Sequence, residues 1–390
     1  MEMGFPLAGD CTFVIKNNEY DIAIVGGGLA GLSLSIQLAR KNHRVCLFEK
    51  EIYPFHKVCG EYISMESWDF LLSLGLPLET WDPPKINKLY VSSPNGESIL
   101  EKLPLGGFGI SRYKLDASLA NIARSVGVQL YENTKVHNIA FENEHHEIQT
   151  NIGLFKAKLA CACYGKKSNL DVKSKRDFIK HDESQNHVGV KYHVKADLPE
   201  HLIALHNFTG GYCGISKVEE GKYCLCYLSN SINLKKNSNS IPQMEENILK
   251  QNPRLRELLE TAKVLYSEPL TIAQISFSKK TQIENHLLYI GDAAGMITPL
   301  CGNGMSMALH ASKIAHKLII AFLENHITRK EMELSYQKEW RHQFARRMQA
   351  GRILQRLFGK PFWSVWLIRM LKPFPFVVRA LIQQTHGDKF

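Results

Sequence analysis

The amino-acid sequence predicts an α/β fold with an α+β second domain, on three observations. Residues 20–49 read YDIAIVGGGLAGLSLSIQLARKNHRVCLFE: an apolar run, a glycine turn, a helix-forming segment, a second apolar run and an acid. A strand-then-glycine pattern returns at 286–295, HLLYIGDAAG, ahead of an apolar segment at 305–325 with helical character. Between them, residues 188–194, 202–208, 212–216 and 222–228 carry the periodicity of strands, with Gly210-Gly211 placed to turn a hairpin.

The first stretch has the order of a dinucleotide-binding βαβ unit, which defines a Rossmann-type domain. Gly26 permits the tight turn off the strand, and Gly28 lets the backbone approach a pyrophosphate. Gly31 allows close helix–strand packing, and the amides of Leu29 and Ala30 open a helix N-terminus suited to phosphate. Glu49, with Lys50 after it, ends the second strand. Its carboxylate suits a ribose diol and would repel a 2′-phosphate, so FAD or NAD is expected rather than NADP.

Further along, residues 51–61 form a Pro- and Gly-punctuated loop, and 65–74 have helical spacing ending near Gly75. Residues 81–110 read as short strands joined by turns. A helix through Ala123 stops at Gly127, and short strands follow at 129–131, 135–141 and 154–162. The polar, lysine-rich stretch 165–185 marks a boundary. A polar loop is expected at 230–240 and a helix at 242–265. The predicted division is an extension at 1–19 and a nucleotide-binding domain from 20–65, 109–165 and 270–335. A substrate domain comprises 66–108 and 166–269, and a basic, aromatic helical segment 336–390.

Composition is that of a globular chain, 44% hydrophobic and 22% charged. No apolar run reaches the ~18 residues of a spanning helix. The N-terminus lacks the basic region and apolar core of a secretory signal. The nine cysteines form no C-x-x-C pair. Reduced, packed thiols, no metal site and a cytoplasmic location are therefore expected.

The net charge of +10 is concentrated at one end: residues 341–387 hold nine Lys/Arg and no Asp or Glu. Phe344, Phe358, Phe362, Trp363, Trp366, Phe374 and Phe376 lie among them. This pattern suits peripheral contact with an anionic membrane, or a helical cap on the core with solvated arginines. Nucleic-acid binding is not expected, because no recognisable module accompanies the charge.

The βαβ unit, Arg112 with Leu115-Asp116, and Gly291-Asp292-Ala293-Ala294 followed by Pro299 and Gly302-x-Gly304 form an ordered triple. Over residues 20–330 this resembles the FAD-dependent oxidoreductases of the p-hydroxybenzoate hydroxylase fold. The resemblance implies that Asp292 accepts from the ribityl hydroxyls of FAD and that Arg112 contacts the cofactor. It also implies that a Val136 amide meets the adenine. The helix opened by Gly302, Asn303, Gly304 and Met305 would point at the flavin's pyrimidine end. The segment Pro54-x-x-Lys57-x-Cys59-Gly60 resembles the geranylgeranyl reductase branch, in which the cysteine lies near flavin and substrate. Tyr212 sits where that branch carries Y-x-W-x-F-P, but Gly214 replaces the tryptophan and Ile215-Ser216 the Phe-Pro. The hydroxylases' Asp-Gly pair is Tyr164-Gly165 here, and the halogenase W-x-W-x-I-P signature is missing.

The expectation is an FAD-dependent oxidoreductase of a lipophilic substrate (prenyl, polyene or polyketide-like), read as a reductase with Cys59 and Tyr212 facing substrate. The alternative is a flavin monooxygenase hydroxylating an aromatic or polyketide-like compound. A membrane-peripheral carrier without turnover is the third reading. With no second G-x-G-x-x-G, NAD(P)H or another reductant would bind transiently. Oligomeric state is not legible.

Overall fold

The computed structural model describes residues 18–180 and 187–390. Most of the extension expected at 1–19, and the end of the 165–185 stretch, lie outside the described residues. Two sheets organise the rest.

The first sheet has the spatial order Ile283–Glu284, Leu287–Tyr289, Gly153–Ala162, Glu19–Val25, Val45–Phe48, Gln129–Tyr131. Glu19–Val25 lies centrally, parallel to both neighbours, with Val25 opposite Phe48 on one side and Ala162 on the other. Ile22, Ala23 and Ile24 are fully buried, as a strand covered on both faces requires. A hairpin of Val136–Glu142 and His145–Thr150 extends the Gly153–Ala162 strand.

The helix Leu29–Ala39 packs against Arg112–Ser125 and Gly304–Leu323 over one continuous apolar core. Gly31 is needed there, since a Cβ would collide with the Gly26 carbonyl.

The second sheet runs Lys263–Val264, His187–Lys195, Tyr223–Asn230, Gly211–Lys217, Leu202–Phe208, Lys85–Ser92, Ser98–Gly109, Tyr62–Ser64. The predicted hairpin forms, with Phe208 opposite Gly211. A further strand, Leu270–Ile275, pairs with His187–Lys195. Residues 62–64 and 270–275 thus join the second sheet rather than the first domain, because their backbone partners lie there. Conversely, Phe70, Leu71, Leu74 and Leu78 pack into the first core.

Three segments depart locally from expectation. The loop at 230–240 contains a helix, Ser231–Lys236, nucleated by Asn230 accepting from the amides of Ile232 and Asn233. The helix at 242–265 divides into Ile241–Asn247 and Pro253–Thr261. Asn252 caps the second, while its amide donates to Ser92, Ser93 and Asn207, anchoring the break to the sheet. At the C-terminus a single helix, Arg329–Phe358, begins before the predicted segment. Its Met332, Tyr336, Trp340, Phe344 and Met348 are built into the first core. Pro361 and Pro375 open the last two helices, Pro361–Leu371 and Pro375–Thr385, where a missing N–H costs nothing.

Candidate active site

The two sheets and the Gly304–Leu323 helix flank a cleft. Its walls bring together Gly28, Leu29, Ala30, Cys59, Gly60, Arg112, Tyr212, Asp292, Gly302, Gly304 and Met305, eleven of the predicted site residues. Two helix N-termini open into it. Neither Gly28 nor Asn303 supplies a side-chain cap, so the first amides of both helices are left to an outside acceptor. At Gly28 a Cβ would meet only the Arg112 guanidinium at 3.7 Å and the Lys57 ammonium at 4.0 Å, an open cradle between two cations.

A charge network backs this cradle. Arg112, placed at a helix start capped by Ser111, makes a bidentate pair with Asp116 at 2.7 Å for both bonds. Lys57 lies 3.0 Å from Asp116 and 3.9 Å from Glu49, and donates to the Gly27 carbonyl at 3.3 Å. Burial pushes the Asp116 carboxyl up, but the Arg112 and Lys57 charges outweigh it and hold it below the usual carboxylate range. Glu49 is buried and accepts from the amides of Gly27 at 2.9 Å and Glu51 at 3.2 Å.

The opposite wall is less satisfied. The hydroxyls of Tyr62, Tyr212 and Ser216 are buried along the cleft with no hydrogen-bond partner. Buried polar groups in native proteins are almost always paired, so three orphans in one cleft mark where a bound molecule would supply partners. Burial also pushes the Tyr212 phenol well above its ordinary pKa, keeping it a neutral donor. Gly214 also lines this wall, and a Cβ there would lie 3.3 Å from the Leu205 side chain. The Cys59 thiol is 3.6 Å from the Met305 sulfur.

Not every predicted residue reaches the cleft. Gly26 and Gly31 are packing positions behind it. Lys50 is exposed and pairs with Glu51 at 3.5 Å, because it lies beyond the strand end. Val136 packs against the outer cluster around Phe48 and Phe155. Asn303 turns away, donating to the Thr385 carbonyl at 3.0 Å and so tying the helix start to the C-terminal segment.

Sequence reasoning missed the partners contributed by distant strands: Lys191 and His193 against Glu61, and Lys280. Burial lowers the Lys280 ammonium to about 8, and it donates to the Asp292 carbonyl at 3.0 Å. No motif announces them, since what gives each its place is a partner far away in the chain.

Next to the cleft lies an apolar pocket, walled by the second sheet and the C-terminal helices. The two share Tyr62, Ile203, Leu205 and Gly302. The described cysteines are all unpaired.

Paired helix N-termini, a buried acid at a strand tip and a cationic cradle define a nucleotide-cofactor site. The chain belongs to the FAD binding domain family, which matches residues 19–352. It is an FAD-dependent oxidoreductase of the p-hydroxybenzoate hydroxylase-like group. It is 27% identical over 381 residues to conditioned medium factor receptor 1 of Dictyostelium discoideum, covering 86% of this chain and 71% of that one. With digeranylgeranylglycerophospholipid reductase 2 of Methanopyrus kandleri it shares 23% identity, over 88% and 87% of the two chains. Among solved structures, a geranylgeranyl bacteriochlorophyll reductase-like protein from Thermoplasma acidophilum superposes with a TM-score of 0.77 at 18% identity, covering 95% and 96%. A flavin-dependent brominase superposes equally, at 0.77 and 17% identity over 94% and 93%. These two share the fold.

The residues fit FAD. Amides of two helix starts converge with the Arg112–Lys57 cradle on one cleft, an arrangement suited to a pyrophosphate and an electron-rich ring. When bound, the flavin supplies the hydride or oxygen chemistry.

Proposed function

We propose that this protein is an FAD-dependent reductase of a lipophilic, unsaturated substrate of prenyl, polyene or polyketide-like type. The observation that carries this reading is the apolar cavity adjoining the cofactor cleft, which gives a long hydrocarbon chain a dry berth beside the reaction site. The names of the reductase relatives support it. In this reading Glu49 takes the ribose, Asp292 the ribityl chain and Arg112 the pyrophosphate side, while Cys59 and Tyr212 face substrate. NAD(P)H or another reductant binds transiently.

The three orphan hydroxyls favour a second reading, a monooxygenase of an oxygen-bearing aromatic or polyketide-like compound. Anaerobic reduction of the purified protein followed by oxygen separates the two. Slow reoxidation and transfer of deuterium from a labelled donor into product support the reductase. Labelled oxygen in product supports the monooxygenase.

The last two helices support contact with an anionic membrane surface. Leu367, Leu371, Val378, Leu381 and Ile382 line the cavity, while Phe362, Trp363, Trp366, Phe374 and Phe376 are exposed outward, Phe362 to 73%. Lys372 and Arg379 stand among them, each worth about 1 kcal/mol near anionic lipid. Among the described residues no helix is long and apolar enough to cross a membrane, so the contact would be interfacial.

A further inference from the structure

A buried charge cluster beneath the Cys59 loop has no part in the roles above. Glu61 is fully enclosed and holds a left-handed backbone, φ +55°, a conformation that persists in a non-glycine residue only where its surroundings over-determine it. Its Oε1 accepts from Lys191 Nζ at 2.5 Å and from the Arg112 amide at 2.8 Å, and its Oε2 lies 2.6 Å from His193 Nε2. Lys191 also donates to the Lys57 carbonyl at 3.2 Å, and the Cys224 thiol to the Cys59 carbonyl at 3.2 Å.

Lys191, His193 and Cys224 all belong to two adjacent strands of the second sheet, His187–Lys195 and Tyr223–Asn230. Thus that sheet grips the loop at residues 57, 59 and 61, and through Glu61 also reaches the start of the Arg112 helix. Burial pushes the Glu61 carboxyl up, but the His193 hydrogen bond and the Lys191 charge hold it below the carboxylate range.

Ligand-type atoms of Glu61, His193 and Cys224 lie within 4.8 Å of one another. The Lys191 ammonium, however, already supplies the positive charge at this carboxylate. A buried ion pair adds little net stability over apolar packing of the same volume, and its best-attested use is to specify one geometry.

We propose that Glu61, Lys191 and His193 are positioning residues: they fix Cys59 in the cleft wall beside Met305 and couple its place to the substrate sheet. The functional weight of this rests on the reading that Cys59 faces the reactants. The placement itself can be tested without that reading.

The test is iodoacetamide alkylation of the FAD-loaded protein, read cysteine by cysteine by peptide mass spectrometry. Glu61→Gln alone leaves the Lys191 charge buried and unpaired, so the double variant Glu61→Gln/Lys191→Met is compared with it. In the double variant Cys59 alkylation should rise roughly tenfold as the loop opens locally, while Cys46 and Cys161 in the first sheet stay protected. His193→Gln, which can still donate to Glu61, should retain the wild-type rate, and His193→Leu should not.

An unchanged Cys59 rate in a folded double variant overturns the proposal, as does a rise shared equally by Cys46 and Cys161. In the FAD-loaded protein, the double variant should also shift the flavin midpoint potential. Faster Cys59 alkylation without that shift would uphold the positioning and count against Cys59 facing the flavin.

Discussion

The two sides of the cleft are built on opposite terms. On the nucleotide side the charged groups answer one another: Arg112 and Lys57 are matched by Asp116 and Glu49, and the βαβ turn is closed by the Gly27 amide on Glu49. On the substrate side, hydroxyls of Tyr62, Tyr212 and Ser216 lack partners and open onto apolar walls. A side whose charges are paired within the chain, with only its helix amides left open, holds a fixed cofactor in one pose. A side left incomplete takes its last interactions from a visiting molecule.

The sharpest break in this contrast is Glu49→Arg. It removes the acceptor for the Gly27 amide and sets a third cation beside Lys57, so FAD occupancy should collapse, measured as the 450 nm to 280 nm absorbance ratio. Retained full yellow colour would refute the ribose assignment.

Asp116→Asn comes next. Leaving Arg112 and Lys57 without their buried counter-charge should cost about 3 kcal/mol or more in denaturant unfolding. Asp116 is also the source of an acid limit. Its folded pKa lies below the unfolded value, so its contribution is complete above about pH 4 and is lost as pH falls through the depressed folded pKa. In the wild type, stability should therefore drop on acidification below about pH 4, and Asp116→Asn should flatten that slope.

On the other side, Gly214→Trp should leave flavin content unchanged while weakening binding of a fluorescent polyene roughly tenfold, since a large side chain fills the cleft. Its Cβ would sit 3.3 Å from Leu205, so some local repacking is expected. Equal loss of flavin would show that the two sides are not separable.

The smallest effect on the fold is expected from Phe362→Ser/Trp363→Ser/Phe376→Ser. Unfolding should change by less than about 0.5 kcal/mol per site, as for exposed positions, while flotation with anionic vesicles falls. Deleting the whole tail would not be a clean test, because Phe344 and Met348 belong to the main core.

Much of the nucleotide side was legible beforehand because its requirements are local. A strand, a glycine turn, a helix and an acid must follow one another within a short span, and Gly26–Glu49 carries them in that order. Asp292, and the glycines at 302 and 304, were likewise found through contiguous motifs. What was not legible was of two kinds. Which way the side chains of Lys50, Val136 and Asn303 turn was one, since a one-residue step along a strand or helix turns a side chain to another face. Glu61, Lys191 and His193 were passed over because 130 and 132 residues separate the partners in the chain.

The local chain chemistry alone thus specified the α/β class, the βαβ unit and the uneven charge of the C-terminus. Tertiary structure decided which strands share a sheet, that the C-terminal helices wall an apolar cavity, and which buried charges meet. Backbone geometry and phosphate-binding turns are set by neighbours in sequence. Pairing across a sheet or a core depends on which distant segments the fold brings within hydrogen-bond range.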